Sequence, residues 1–278
     1  MPSKLQAGQS LPDYTLRAHN SAEQSDNKIH DNAVARLYGF EGGLVPGVTI
    51  HGYMTRPALD ALGREWLEHG AIATRFIKPF YQDELVTVHS TVVIADETET
   101  QIELRAVNPQ GETCAIGTAS LSAIAPQPPS LRDVPAAPLA TIRPLVSHDV
   151  LASMDILGTI DMPWQKVAED VGFLEIQDDH AAYRGADAVL HPGYLLRFAN
   201  FVLAQAVTLG PWIHVSSDVQ HFSTLKVGEG FATRARITEL FEKKGHKFIT
   251  MDVLQVCGDR PVTRVTHTAI FDIRRVDA

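Results

Sequence analysis

The run Asn27-Lys-Ile-His-Asp-Asn32 sets His30 among several groups able to share a proton. Asp26 and Asp31 flank it, and Ser25 and Asn27 add a hydroxyl and an amide. An imidazole exchanges protons near neutral pH, so His30 suits general acid or base work. Further on, Pro46-Gly-Val-Thr-Ile-His-Gly-Tyr-Met54 reads as the start of a helix punctuated by proline and glycine. A helix N-terminus offers unbonded N–H groups and partial positive charge, which can stabilise negative charge on a substrate oxygen. Gly52 within that run would admit a close approach to the backbone. No Gly-x-Ser-x-Gly elbow, P-loop, His-Glu-x-x-His or dinucleotide-binding glycine pattern occurs, so serine hydrolase, nucleotide and zinc-protease readings lack support.

The rest of the chain narrows the class. With 278 residues, 45% of them hydrophobic, it can bury one large core or two smaller ones. The net charge of −9 argues against nucleic acid, which needs a concentrated basic face. The densest basic run, Glu242-Lys-Lys-Gly-His-Lys247, reads as a hairpin turn. Cys114 and Cys257 lack metal-ligand or disulfide spacing and read as small buried residues in a reducing compartment. The first residues carry no apolar signal region, and no apolar run approaches the length of about 20 that a membrane helix needs. A cytoplasmic protein without a metal is the expectation.

The elements that must position His30 and the helix start come in two similar sets. A proline-rich segment, Ala125 to Pro138, reads as an extended linker. Before it, a helix from about Val45 to Leu67, kinked or restarted at Pro57, is followed by strand-like runs at 73–80, 84–94, 101–107 and 113–122. After it, an all-round apolar helix over 191–206 precedes strands at 213–222, 230–238, 246–256 and 261–273. Pro46 precedes Phe76 by 30 positions, as Pro192 precedes Phe222, which gives a repeat offset of 146. The expected organisation is an α+β fold with residues 1–124 and 146–278 as halves and 125–145 as linker.

The motifs resemble those of the MaoC-like (R)-specific enoyl-CoA hydratases and dehydratases in their double hotdog form. The resemblance rests on Asn27 to Asn32, Gly39-Phe-Glu-Gly-Gly-Leu-Val-Pro-Gly-Val-Thr-Ile-His-Gly-Tyr-Met54 and the stretch from Arg75. It implies two curved antiparallel sheets, each wrapped round a central helix. The family's first motif runs Asp-x-Asn-Pro-x-His. Here His30 and Asn27 match, Lys28 stands at the proline position, and Ser25 stands at the aspartate position. The family pattern makes His30 the acid or base, gives it a carboxylate partner, and makes the Gly52 N–H the polariser of the thioester carbonyl. Asp26 and Asp31 are the carboxylates within reach of that role, with Ser25 as a hydroxyl substitute. Asn27, Val48, His51 and Tyr53 would contact substrate, and Lys78 or Arg75 could meet CoA phosphates. The resemblance requires no cofactor, since CoA belongs to the substrate, whether acyl-CoA or an acyl-carrier thioester. No nucleic acid or membrane partner is implied, and a homodimer is compatible. The second half looks catalytically silent: the offset of 146 carries His30 onto Ile176, and His180 and His221 read as structural. Two other readings remain open on the same fold, a thioesterase and a non-catalytic acyl-CoA-binding protein that has lost its base.

Overall fold

The computed structural model describes residues 5–170 and 178–274. Ten strands form one antiparallel sheet, and their periodicity explains them. In Leu85–Ala95, Val86, Val88 and Val92 are buried while their neighbours are more open, the alternation of a strand with one face on a core. The strands are β1 (Tyr14–Arg17), β2 (Ala71–Phe76), β3 (Leu85–Ala95), β4 (Glu99–Val107) and β5 (Thr113–Ser122) in the first half. The second half holds β6 (Ile156–Met162), β7 (Ile213–His221), β8 (Phe231–Lys243), β9 (His246–Cys257) and β10 (Arg260–Asp272). Their spatial order is β1-β3-β4-β5-β2-β7-β10-β9-β8-β6. The two expected sheets are therefore halves of one, joined where β2 pairs with β7. Lys244 and Gly245, both at positive φ, make the β8–β9 turn, as the basic run suggested.

Short helices α1 (Asn32–Leu37), α3 (Arg64–His69), α4 (His148–Ala152) and α5 (Trp164–Glu169) flank two long ones. These are α2 (Gly47–Leu62) and α6 (Pro192–Ala206), and most of their residues are buried. Pro57 lies inside α2 without ending it; the break falls at Gly63, whose φ of +73° suits glycine. α2 and α6 touch backbone to backbone: a Cβ on Gly193 would lie 2.9 Å from Gly52 Cα. Among the described residues no helix is long and apolar enough to cross a membrane.

The repeat offset is 145, one less than the Pro-Gly alignment suggested. Val45 N–H bonds to Phe80 O at 2.8 Å, and Leu190 N–H bonds to Leu225 O at 2.7 Å. At the seam Ala73 stands opposite Asp218, again 145 apart. Proline caps α2 at Pro46, whereas His191 caps α6, so the two Pro-Gly pairs do not superpose. Leu44 N–H to Ile29 O and Val189 N–H to Ala182 O are also equivalent bonds. They put Tyr183 at the place of His30; Ile176, reached by the sequence offset, lies outside the described residues.

The segment expected as a linker holds a turn, with Asp133 N–H on Ser130 O at 3.0 Å, and it is packed. Val134 is fully buried against Leu254 and Val256. Those side chains leave β9 on the face opposite Gln255, whose amide bonds to Leu195 O in α6.

Besides His191 at the cap of α6, four histidines are buried near the seam between halves: His51, His214, His221 and His267. His214 Nε2 and His267 Nδ1 both meet Ser217 Oγ, at 2.8 and 2.9 Å. Burial pushes His51 and His267 down to about 3 and His221 to about 4; it holds His214 well below the usual range. The unfolded chain takes up protons near 6.5 while the folded chain leaves these rings neutral. Their contribution is complete above about pH 6.5 and is lost as pH falls toward the folded values. Replacing His221 with Leu should make unfolding free energy less steep between about pH 5.5 and 4.5. The expected change is one proton, or about 1.4 kcal/mol per pH unit. Urea denaturation across that range measures it, and an unchanged slope would mean His221 already titrates when folded.

Candidate functional site

His30 ends a 3-10 turn, Lys28–His30, capped by Asn27. The Asn27 side chain fixes the geometry of the site. Trp212 N–H and Ile29 N–H can only donate, and both reach Asn27 Oδ1, at 3.2 and 3.4 Å. The Asn27 NH2 must then face Trp212 O at 3.0 Å and His30 Nε2 at 3.3 Å. On the other side of the ring, His30 Nδ1 lies 2.7 Å from Leu44 O, an acceptor only. Both sides require the same tautomer: Nδ1 carries the hydrogen and Nε2 presents its lone pair. Burial lowers the His30 pKa, against the smaller upward pull of the Leu44 carbonyl. The result is a neutral imidazole with its basic nitrogen held by a weak donor.

Two cavities adjoin this ring. One, of about 270 Å³, is walled mainly by apolar groups including Leu44, Ile50, Phe76, Phe80, Phe248 and Ile270. The other, of about 480 Å³, is walled by Ser25, Asp26, Val48, Arg143, Arg197, Phe201 and Thr208 among others. Asn27, His30, Pro46, Asn200 and Trp212 line both, so the cavities meet at the imidazole. The first turn of α2 opens there as well. Among the described residues the N–H groups of Gly47 and Val48 have no acceptor, and the two residues line the apolar and the polar cavity respectively. Gly47 is required by space, since a Cβ would stand 2.7 Å from His214 Nδ1.

Of the residues singled out in the sequence, Ser25, Asp26, Asn27, His30 and Val48 come together at these cavities. Ser25 Oγ donates to Asn27 O at 3.4 Å. Asp26 is exposed at the wall, and among the described residues its carboxylate accepts no hydrogen bond. Four expectations are corrected. Asp31 caps α1, its Oδ1 accepting from Val34 N–H at 2.9 Å, and so is not a partner of His30. Gly52 is the sixth residue of α2, where its N–H belongs to the helical ladder; its role is the close approach to α6. His51 is buried at the seam with Nδ1 on Thr74 Oγ1 at 3.1 Å. Tyr53 accepts from His19 N–H at 3.1 Å, away from both cavities. Lys78 lines the apolar cavity with its ammonium on Glu112 at 2.5 Å, while Arg75 lies on a separate groove over the sheet.

The second half supplies walls that motif reading missed: Asn200, Trp212, His214 and Arg197, with Arg143 from the linker. At the cap of α6, the counterpart of Pro46, His191 Nε2 lies 3.4 Å from the Asp178 carboxylate and Nδ1 accepts from Gly193 N–H at 3.0 Å. Both nitrogens of that ring are taken. His180 caps the neighbouring turn through Ala182 N–H at 3.0 Å, and His221 packs edge-on to Trp66, so both are structural in the described residues. Asn27→Asp would place a carboxylate against His30 Nε2 and favour the imidazolium. The His30 titration midpoint, followed by NMR, should rise above the wild-type value; an unmoved midpoint would contradict this geometry.

No family model and no curated protein matches the sequence. Solved structures do. A chain described as a MaoC domain protein dehydratase of Chloroflexus aurantiacus J-10-fl aligns with TM-score 0.61 and 12% identity, covering 97% of this chain and 96% of that one. A chain described as an oleoyl thioesterase of Lactobacillus plantarum gives 0.57 and 14%, covering 96% and 98%. A conserved protein of Mycobacterium tuberculosis, reported to have a double hotdog fold, gives 0.58 and 13%, covering 96% of each. At such identities the likeness establishes the fold: this chain is a double hotdog, a fold these dehydratase and thioesterase structures share.

Proposed function

We propose that the protein adds water to, or removes it from, an acyl thioester, interconverting enoyl-CoA and 3-hydroxyacyl-CoA. The observation that carries this reading is the neutral His30, its Nε2 lone pair set where an apolar and a polar cavity meet. The apolar cavity would take the acyl chain, and the cavity bearing Arg143 and Arg197 would take the CoA arm. The reacting carbons then lie beside the imidazole.

In the hydration direction, His30 Nε2 takes a proton from water as the water oxygen bonds to the β-carbon. Negative charge moves through the double bond to the thioester oxygen. The N–H groups of Gly47 and Val48 at the start of α2 are the donors suited to that oxygen, in place of Gly52. One such donor is typically worth about 3 kcal/mol at the transition state. The imidazolium returns its proton to the α-carbon, the electrons fall back, and the product is the 3-hydroxyacyl thioester. Dehydration reverses these steps.

One observation favours a second reading. Asp26 stands on the wall of the polar cavity, and as base it would direct water to the thioester carbonyl and release free thiol. The test follows loss of enoyl absorbance and appearance of thiol together, over a series of chain lengths. Hydration should proceed without thiol release and fall by about 10²–10⁴-fold in His30→Ala. Asp26→Asn should retain most of it. Thiol release that survives His30→Ala and vanishes in Asp26→Asn would replace hydration with hydrolysis.

A further inference from the structure

α6 is apolar along most of its length, from Leu195, Leu196 and Phe198 to Val202 and Leu203, all buried. Asn200 interrupts it. Asparagine is a poor residue for the interior of a helix, because its amide competes for backbone hydrogen bonds. Here the amide makes no such bond. Asn200 Oδ1 is buried with no hydrogen-bond partner, in the wall common to both cavities. A buried, unpaired acceptor lowers stability unless something outside the chain pairs with it.

Among the described residues Asp26 is also unpaired, but it is exposed and lines only the polar cavity, whereas Asn200 lines both. The other neighbours are engaged. Asn27 has both amide ends engaged, with Trp212, Ile29 and His30. His30 Nδ1 is held by Leu44. Ser25 Oγ turns to the Asn27 carbonyl. Asp31 is a helix cap. An acceptor is still needed to orient the water, since Ser25 stands where the resembled family has its carboxylate. We infer that Asn200, contributed by the second half, binds the oxygen that is added to or lost from the substrate, orienting it against His30. This rests on the hydratase reading and specifies it further.

In hydration one O–H of the water donates to Asn200 Oδ1 and the other to His30 Nε2, displacing the long 3.3 Å contact from Asn27. The oxygen bonds to the β-carbon while His30 takes the second hydrogen and passes it to the α-carbon. Asn200 keeps its hydrogen bond to what is now the 3-hydroxyl and exchanges no proton. His30 is then the sole titrating group of the step, and Asn200 discriminates between a 3-hydroxyacyl chain and a saturated one.

That discrimination can be read without turnover. In a His30→Ala background, calorimetry compares binding of a medium-chain 3-hydroxyacyl-CoA with the saturated acyl-CoA of equal length. The hydroxyl form should bind roughly tenfold tighter, and Asn200→Ala should abolish the preference while leaving the saturated ligand within about twofold. In the otherwise wild-type enzyme, Asn200→Ala should lower kcat with little change in KM, and leave Tm unchanged or raised. Asn200→Asp should move the acid limb of the pH–rate profile upward, by favouring the imidazolium. A preference that survives Asn200→Ala, or a lowered Tm with unchanged kcat, would overturn the inference and make Asn200 a packing residue. No turnover by the wild type would sink the hydratase reading. The binding preference would then decide separately whether Asn200 recognises a hydroxyl.

Discussion

The two-way bond between the Asn27 side chain and the Trp212 backbone governs the rest of the site. One amide pairs with both the N–H and the C=O of a residue in the other half, as a neighbouring strand would. This ties the 3-10 turn carrying His30 to the loop before β7. It also forces the amide orientation, and with it the tautomer of His30. A neutral imidazole with a defined lone pair thus follows from a contact between halves.

That contact exists because the halves are fused along β2 and β7, with α2 and α6 in contact at Gly52 and Gly193. The fusion is pseudo-symmetric, but the loops are not. In the first half the stretch from His30 to the α2 cap carries α1 and is stitched back by Leu44 and Gly43; Gly43 leaves no room for a Cβ above the His30 carbonyl. In the second half the loop is shorter, Tyr183 takes the equivalent place, and His191 is spent on its cap and on Asp178. One half thus presents an imidazole to a cavity while the other closes around its own.

Much of this was legible in the sequence. Strand alternation located β3, β4, β7, β9 and β10 within two residues, because one buried face imposes a period of two, while β8 runs five residues beyond its expected end. The motif around His30 pointed to residues that do share a cavity: Asn27, Ser25, Asp26 and Val48. Gly52 was misplaced because a His-Gly pair marks a motif and not a helix start; the cap is Pro46, and only the first turn has N–H groups to offer. Asp31 looked like a partner by adjacency, yet a residue just past a 3-10 turn is well placed to cap the next helix. Asn200 and Trp212 could not be read locally. They reach His30 through strand pairing and helix packing between segments far apart in sequence, and an asparagine in an apolar helix carries no motif. The repeat offset was one too long for a related reason: Pro-Gly was matched as letters, while the backbone bonds match Pro46 with His191.

Under the proposed function the two cavities form one acyl-thioester site with His30 at their junction. A crystal structure with a non-hydrolysable thioether analogue of a medium-chain enoyl-CoA tests it most directly. The acyl chain should lie beside Phe76 and Phe248, the CoA arm should pass Arg143, and the β-carbon should lie within about 4 Å of His30 Nε2. A chain lying outside the apolar cavity, or an imidazole out of reach of the β-carbon, would contradict it.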